Sequence, residues 1–368
     1  MIRKILSLNS VFSFMKKIFQ SLILVTLFFN SCFSLSEKPE SSIVQSQSSS
    51  DFVVFTGNSN PELAKKIADE LKINLGKIKV GRFNDQEIRV QCEESLRGKH
   101  VYIVQSTCTT KSGTVNDFYM ELLLMIDAAR LSSAASITVV IPYYGYARQD
   151  RRTDNRSSIS AALVSRMLKE SGANQVVCVD LHSDQTQGFF DGIPVDNLYA
   201  SLVFAPYIKE LKLEAPVIVW PDAGGVTRAE RLQNCLKKLG VETSFAMISK
   251  KRAGAGVIDS MDLIGDVNGK DAIIVDDMCD TGGTLVKAAE ELKKKGAKEI
   301  YVCVTHPVFT KNALQTIANS PFKHVIVTDS IPVAGDANGK IKVLSLAPML
   351  AEVIKRIHTG NSVSALFQ

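Results

Sequence analysis

From residue 52 onward, apolar positions gather in short, unbroken runs: Phe52–Phe55, Val101–Gln105, Ile137–Ile141, Val176–Val179, Val217–Trp220, Thr243–Ile248, Ala272–Val275, Glu299–Thr305 and Val325–Thr328. Strand-length runs without alternation mark parallel strands buried on both faces. One stretch, Ile88–Val90, alternates. Leu63, Ile67 and Leu71 share one face of a helix predicted over 61–71, with Pro61 in its first turn. Helices are also predicted over 116–130, 285–292 and 347–358, and another opens across Pro221–Ala229. This order predicts an α/β chain of two tandem domains, each a mainly parallel sheet flanked by helices. A break falls near 197–215. The expected divisions are an extension over 1–50, a first domain over 51–199, a second over 200–346, and a terminal helix and tail over 347–368 packing back on the first domain.

The first fifty residues differ from the rest. No acid precedes Glu37; Arg3, Lys4, Lys16 and Lys17 come before an apolar run from Ile18 to Phe29, and 37–50 is rich in Ser and Gln. This pattern is that of a targeting-like or disordered extension. The run is too short for a confident span, so no stable membrane insertion is expected. The catalytic body is expected in the cytoplasm, with an organellar or exported location as the alternative. The chain's 368 residues, 45% hydrophobic, suffice for two cores. A spread-out net charge of +5 does not favour nucleic acid as a partner. Seven cysteines without a C-x-x-C pair argue against structural zinc and a disulfide framework.

The chemistry concentrates after Ala272–Val275. Asp276 and Asp277 end that strand, Asp280 follows, and Thr281-Gly282-Gly283-Thr284 opens a helix. Glycines let backbone N–H groups converge on an anion, and a helix N-terminus adds partial positive charge. A phosphate fits the turn, and the three carboxylates beside it suit sugar hydroxyls and metal-bound water. An ordinary helix cap is the plain alternative. Elsewhere, Tyr143 to Arg152 sets aromatics before dense positive charge on a loop after a strand, which points to an anion site. Asp180 and His182 end another apolar run. Lys250-Lys251-Arg252-Ala253-Gly254-Ala255-Gly256 is basic and is expected as a flexible loop that closes over a polyphosphate. No G-x-x-x-x-G-K-[ST] loop occurs.

The segment 276–284 resembles the signature of type I phosphoribosyltransferases, and the longer V-D-D-M-x-D-T-G-G-T pattern resembles the ribose-phosphate diphosphokinase family. That resemblance covers about residues 51–368. It implies two tandem phosphoribosyltransferase-like domains and a reaction in which ATP and ribose 5-phosphate give AMP and 5-phosphoribosyl 1-diphosphate. It places ATP on Phe83, Asp85, Glu87, Arg148, Gln149 and His182, and ribose 5-phosphate on Asp276, Asp277, Asp280, Thr281, Gly282, Gly283 and Thr284. Catalysis falls to Lys250 and Arg252, and Mg2+ to Asp180, His182, Asp191, Asp196 and Asp222. Gly192 stands as an insertion against the family's F-D-I-P-V-D, so the Asp196 assignment requires that it be absorbed locally. The family further implies a homohexamer built from dimers, with ATP sites near subunit boundaries and regulation by phosphate or ADP. A base phosphoribosyltransferase and a non-catalytic regulatory homologue are the alternatives. The first would not need Phe83 and Arg148, and the second should have lost the charge of the 250–256 stretch.

Overall fold

A computed structural model of the chain describes residues 51–221, 223–254 and 257–367, with side chains for all of these except 223 and 249–261. The expected extension over 1–50 lies outside the described residues. The first half opens with β1 (Phe52–Thr56) and α1 (Pro61–Leu71), followed by an antiparallel ribbon of β2 (Ile78–Arg82) and β3 (Ile88–Cys92). β4 (His100–Val104), α2 (Val115–Leu131), β5 (Ser136–Ile141), α3 (Ser160–Ser171), β6 (Gln175–Val179) and β7 (Val195–Leu198) follow. Strands β1, β4, β5, β6 and β7 form one sheet in that order, parallel throughout.

α4 (Ser201–Leu211) leads to the second half: β8 (Val217–Trp220), α5 (Val226–Lys238), β9 (Ser244–Gly254), β10 (Val257–Ile264), β11 (Ala272–Cys279) and α6 (Gly283–Lys294). β12 (Ile300–Pro307), α7 (Ala313–Ala318), β13 (His324–Thr328), β14 (Ile341–Leu344) and α8 (Ala347–His358) complete it. The sheet order is β10-β9-β8-β11-β12-β13-β14, and only the β9–β10 pair is antiparallel among the described strands of this sheet.

Strand alternation divides the side chains between cores. Val54, Tyr102, Val104 and Val177 face one way in the first sheet, and Val53, Phe55, Val101 and Ile103 the other. The first set shares a single core with Ile218, Ile273, Val275 and Ile326 of the second sheet, joined by residues of α1, α4, α5 and α8. Each fully buried side chain of this size contributes roughly 1.5–3 kcal/mol. α8 packs on α1, and the His358 ring lies 4.6 Å from that of Phe52. The opposite faces are covered by α2 and α3 in the first half and by α6 in the second.

One expectation needs correction. The basic stretch expected as a flexible loop enters as strand: Lys250 to Gly254 belong to β9 and pair with β10, with register shifts near its end. Antiparallel pairing supplies backbone partners that the polar composition does not announce. The stretch 197–215, where the break between halves is expected, holds the end of β7 and the helix α4, which carries Pro206 inside it. Gly192 does not disturb β7. Asp191 and Gly192 take left-handed dihedrals (φ 32° and 85°), and β6–β7 pairing then runs unbroken from Val176–Val195 to Val179–Leu198.

Candidate active site

In parallel sheets the carboxyl ends of the strands expose backbone and side chains where loops can gather around a ligand. Here the ends of β6, β11 and β12 meet. At β11, Asp276 and Asp277 stand near the end of the strand, and Gly282 caps α6 in the left-handed region (φ 78°). No side chain caps this helix. Its first N–H groups lack intrahelical partners and carry the positive end of the helix dipole. Gly283 has room beside it: an added Cβ would meet only Thr281 Oγ1, at 3.8 Å. The resulting cradle combines a turn that needs glycine at 282 with empty space at 283.

Residues far apart in sequence meet at the three acids beside the cradle. Arg148, on the loop after β5, donates from Nη1 to Asp280 Oδ2 at 2.8 Å. Thr310 donates its hydroxyl to the other oxygen of Asp280, and its backbone N–H reaches the Asp280 carbonyl at 3.0 Å. Burial would raise the Asp280 pKa, but the Thr310 hydroxyl and the Arg148 guanidinium hold it below the usual carboxylate range. His182 Nδ1 lies 2.8 Å from Asp277 Oδ2. That hydrogen bond pushes the imidazole above its ordinary value of 6.5, against the opposing effect of burial. Arg228 Nη1 and Nη2 approach Asp276 Oδ1 and Asp277 Oδ1, each at 3.4 Å. Burial of Asp277 would raise its pKa, yet the His182 hydrogen bond and the Arg228 guanidinium keep it strongly depressed. A cavity of about 930 Å³ opens here, lined by Asp150, His182, Arg228, Arg231, Asp276 and Asp277 among others.

Other expected site residues are engaged by neighbouring groups or lie outside the cavity. Asp180 borders the cavity, but its Oδ2 accepts from the Ala200 N–H at 3.0 Å and the Thr305 hydroxyl at 2.6 Å. Asp191, expected as a metal ligand, sits outside the cavity lining, with an 84% exposed side chain paired to Lys169 Nζ at 3.1 Å. Asp196, also expected there, accepts from Gln175 Nε2 at 2.7 Å, and burial raises its pKa. Asp196 lies in β7 and Asp191 in the turn before it, and neither lines the cleft. Gln149 accepts from the hydroxyls of Ser158 and Ser160 at 3.1 and 3.0 Å, bracing the approach to α3.

Phe83, Asp85 and Glu87 occupy the connection between β2 and β3. Phe83 is 48% exposed, with the Arg89 guanidinium 5.7 Å from its ring centre, and Asp85 Oδ1 accepts from Glu87 N at 3.2 Å. None of the three lines the 930 Å³ cavity. The backbones of Lys250 and Arg252 lie in β9, while their side chains, and Asp222 altogether, lie outside the described residues. Among the described residues no three His, Cys, Asp or Glu side chains form a ready metal cluster.

Sequence reasoning passed over three cavity residues. Arg228 lies in the Pro221–Ala229 stretch, whose two glycines and arginine at the start of a helix were the available signal. Asp184 and Arg231 pair at 2.9 Å, and the Arg231 guanidinium stacks 3.6 Å from the Tyr199 ring centre. No sequence signal marked that pair.

Comparison with known proteins gives the same picture over most of the chain. Residues 52–172 match the N-terminal domain of ribose phosphate pyrophosphokinase, and residues 243–368 match the phosphoribosyl synthetase-associated domain. A ribose-phosphate pyrophosphokinase of Ralstonia nicotianae is 49% identical over 323 residues, covering 87% of this chain and 99% of the relative. One of Vibrio cholerae is 49% identical over 320 residues, covering 86% and 99%. The crystal structure of phosphoribosylpyrophosphate synthetase from Mycobacterium smegmatis superposes with a TM-score of 0.77 at 39% identity, covering 84% of this chain and 99% of that one.

Proposed function

Because the chain belongs to the ribose-phosphate pyrophosphokinase family, we propose a division of that reaction between its two strand ends. The enzyme transfers the diphosphoryl group of ATP to the C1 hydroxyl of ribose 5-phosphate, giving 5-phosphoribosyl 1-diphosphate and AMP. The 5-phosphate sits in the cradle at residues 281–284, and Asp276, Asp277 and Asp280 take the ribose hydroxyls. ATP lies on the side of Arg148, Gln149 and His182. The observation that carries this assignment is the pair of bridges His182–Asp277 and Arg148–Asp280, both 2.8 Å, which join the two half-sites.

With both substrates in place, the C1 oxygen attacks the β-phosphorus, its proton is lost, and the bond from that phosphorus to the AMP oxygen breaks. Arg148 exchanges Asp280 for a phosphate oxygen as ATP enters. Lys250 and Arg252 lie on the β9–β10 ribbon and stabilise the charge on the transferring group.

Magnesium fits this donor set as an ion that arrives with the nucleotide, since it retains waters and leans on substrate phosphates with few protein ligands. An imidazole whose other nitrogen is hydrogen-bonded to a carboxylate is the usual orientation device for a metal-ligating histidine, and the His182–Asp277 pair supplies it. His182 and Asp276 would hold the ion, which neutralises phosphate charge when bound.

Phe83, Asp85 and Glu87 reach the adenine of a neighbouring subunit in a hexamer of dimers, with phosphate and ADP as regulators. The catalytic body works in the cytoplasm; no helix among the described residues is long and apolar enough to cross a membrane. Fractionation with sequencing of the native N-terminus tests the location.

Phosphorus NMR of the protein with ATP, Mg2+ and ribose 5-phosphate tests the reaction. The expected result is AMP and a C1-linked diphosphate in equal amounts. Consumption of a free base with 5-phosphoribosyl 1-diphosphate, and no AMP from ATP, would replace this assignment by a phosphoribosyltransferase.

A further inference from the structure

Asp180 is the first residue after β6, and it is held in a conformation that non-glycine residues seldom adopt, with φ 41°. Such a residue persists only where its surroundings over-determine it. The surroundings do. The Asp180 N–H donates to Leu198 O at 2.8 Å, and its carboxylate Oδ2 accepts from Ala200 N–H and the Thr305 hydroxyl. The residue is 6% exposed. Leu181 N–H donates to Asn197 Oδ1 at 3.1 Å. His306 Nε2 lies 3.1 Å from Val179 O and 3.2 Å from Asp180 O. Carbonyl oxygens only accept, so Nε2 carries the hydrogen, and Nδ1 faces the Ser330 hydroxyl at 3.0 Å. Residues 179–181 are thus bonded one after another, and the next residue is His182.

The contacts close into a ring. Thr305 and His306 belong to β12, the neighbour of β11, where Asp276 pairs with Val304 and Met278 with His306. Asp277 therefore stands beside Thr305, one strand over. From Asp277 the path crosses to His182, back along the chain to Asp180, across to Thr305, and home through the sheet. Moving Asp180 onto a metal would leave the Thr305 hydroxyl and the Ala200 N–H unpaired in the interior.

We infer that Asp180, braced by Thr305 and His306, is a positioning residue that fixes His182 against Asp277, and that it is not a magnesium ligand. This rests on the assignment of His182 to the metal–nucleotide half-site.

The test uses the full-length protein with Thr305→Val, Thr305→Ser, Asp180→Asn and His182→Asn. Three quantities are read: kcat and KM at rising Mg2+, Mn2+ affinity by electron paramagnetic resonance with a non-transferable ATP analogue, and the His182 ring resonance. Thr305→Val removes the hydroxyl without touching any candidate ligand. It should lower kcat by about three- to tenfold, the effect of one buried hydrogen bond, with KM nearly constant. Asp180→Asn should match it. In both, extra Mg2+ should restore nothing, Mn2+ affinity should stay within about twofold, and the His182 resonance should move. Thr305→Ser should recover the parent values, which separates loss of the bond from general damage. His182→Asn should weaken Mn2+ binding.

A Mn2+ affinity that falls about tenfold or more in Asp180→Asn but not in Thr305→Val, with activity regained at high Mg2+, would make Asp180 a ligand and overturn the inference. So would parent behaviour of Thr305→Val in every readout. The ring resonance and Mn2+ arms need no turnover, so they stand even if the diphosphokinase assignment fails.

Discussion

At the end of β11, Asp276 and Asp280 stand beside an uncapped helix N-terminus, with space next to Gly283. At the end of β6, the corresponding edge of the first sheet, Asp180 is drawn inside by Ala200 and Thr305, and no glycine turn follows. Both are acids at the carboxyl end of a buried parallel strand. The first end is open and takes its shape from backbone; the second is filled by side chains and lends its geometry to His182. An acid at a strand end is therefore ambiguous until its donors are known. Where neighbouring N–H and O–H groups already satisfy it, it is part of the frame.

That contrast can be broken most forcefully at the β9–β10 ribbon, which should serve both ends at once. Lys250→Ala should lower kcat on the order of 10² or more while nucleotide affinity changes little, because a preorganised charge acts mainly on the transition state. Steady-state kinetics with equilibrium ATP-analogue titration checks it, and near-parent turnover would remove Lys250 from catalysis.

The next largest effect separates space from conformation within the cradle. Gly283→Val places its side chain where protein atoms leave room, so folding should survive while KM for ribose 5-phosphate rises about tenfold or more. Gly282→Ala forces a side chain into the left-handed region and should cost about 1–2 kcal/mol of stability. Calorimetric titration and thermal unfolding of the two variants distinguish the roles. If Gly283→Val abolished ATP binding and spared ribose 5-phosphate, the half-sites would be exchanged.

The bridge between the ends has a pH signature. The His182 pKa is raised in the folded protein, so its ion pair with Asp277 is fully present below 6.5 and is lost as pH rises through the elevated folded value. The Asp277 pKa is depressed, so its share is present above its ordinary 3.8 and is lost as pH falls through the lowered value. NMR titration of the substrate-free protein should show His182 titrating above 6.5, and Asp277→Asn should bring it down. An unchanged titration would show that the pair does not form in solution.

The smallest effect is expected outside the cleft. Asp191→Asn breaks only a solvent-exposed pair with Lys169, and such pairs are worth about 0–1 kcal/mol. Activity and its Mg2+ dependence should stay within about twofold of the parent. A larger rise in the Mg2+ requirement would return Asp191 to the metal site.

Much of this was legible in the chain. Runs such as Ala272–Val275 and Val176–Val179 are apolar without interruption because both faces are buried, and that fixes strand type from sequence. The cradle was legible because a turn that needs left-handed backbone writes itself as glycine. The ribbon was not: Lys250 to Gly254 carry no strand pattern, and their pairing comes from β10. α4 was hidden by Pro206, which normally ends a helix. The fates of Asp180, Asp191 and Asp196 depend on Thr305, Lys169 and Gln175, and residue type alone does not name those partners.

The packing of α8 on α1 bears on how the molecule is made. The apolar face of α1, with Leu63 and Ile67, joins a core that also holds Leu350, Val353 and Ile354. During synthesis the first half emerges complete in its strands but lacks the helix that covers this face, which is translated only after the described strands of the second sheet. Contacts of such long sequence separation slow folding and leave apolar surface exposed on the nascent chain. A frameshift or stop codon before Ala347 would therefore damage the distant first half as well as the tail. Its products should be cleared or aggregate rather than persist as a working nucleotide-binding fragment.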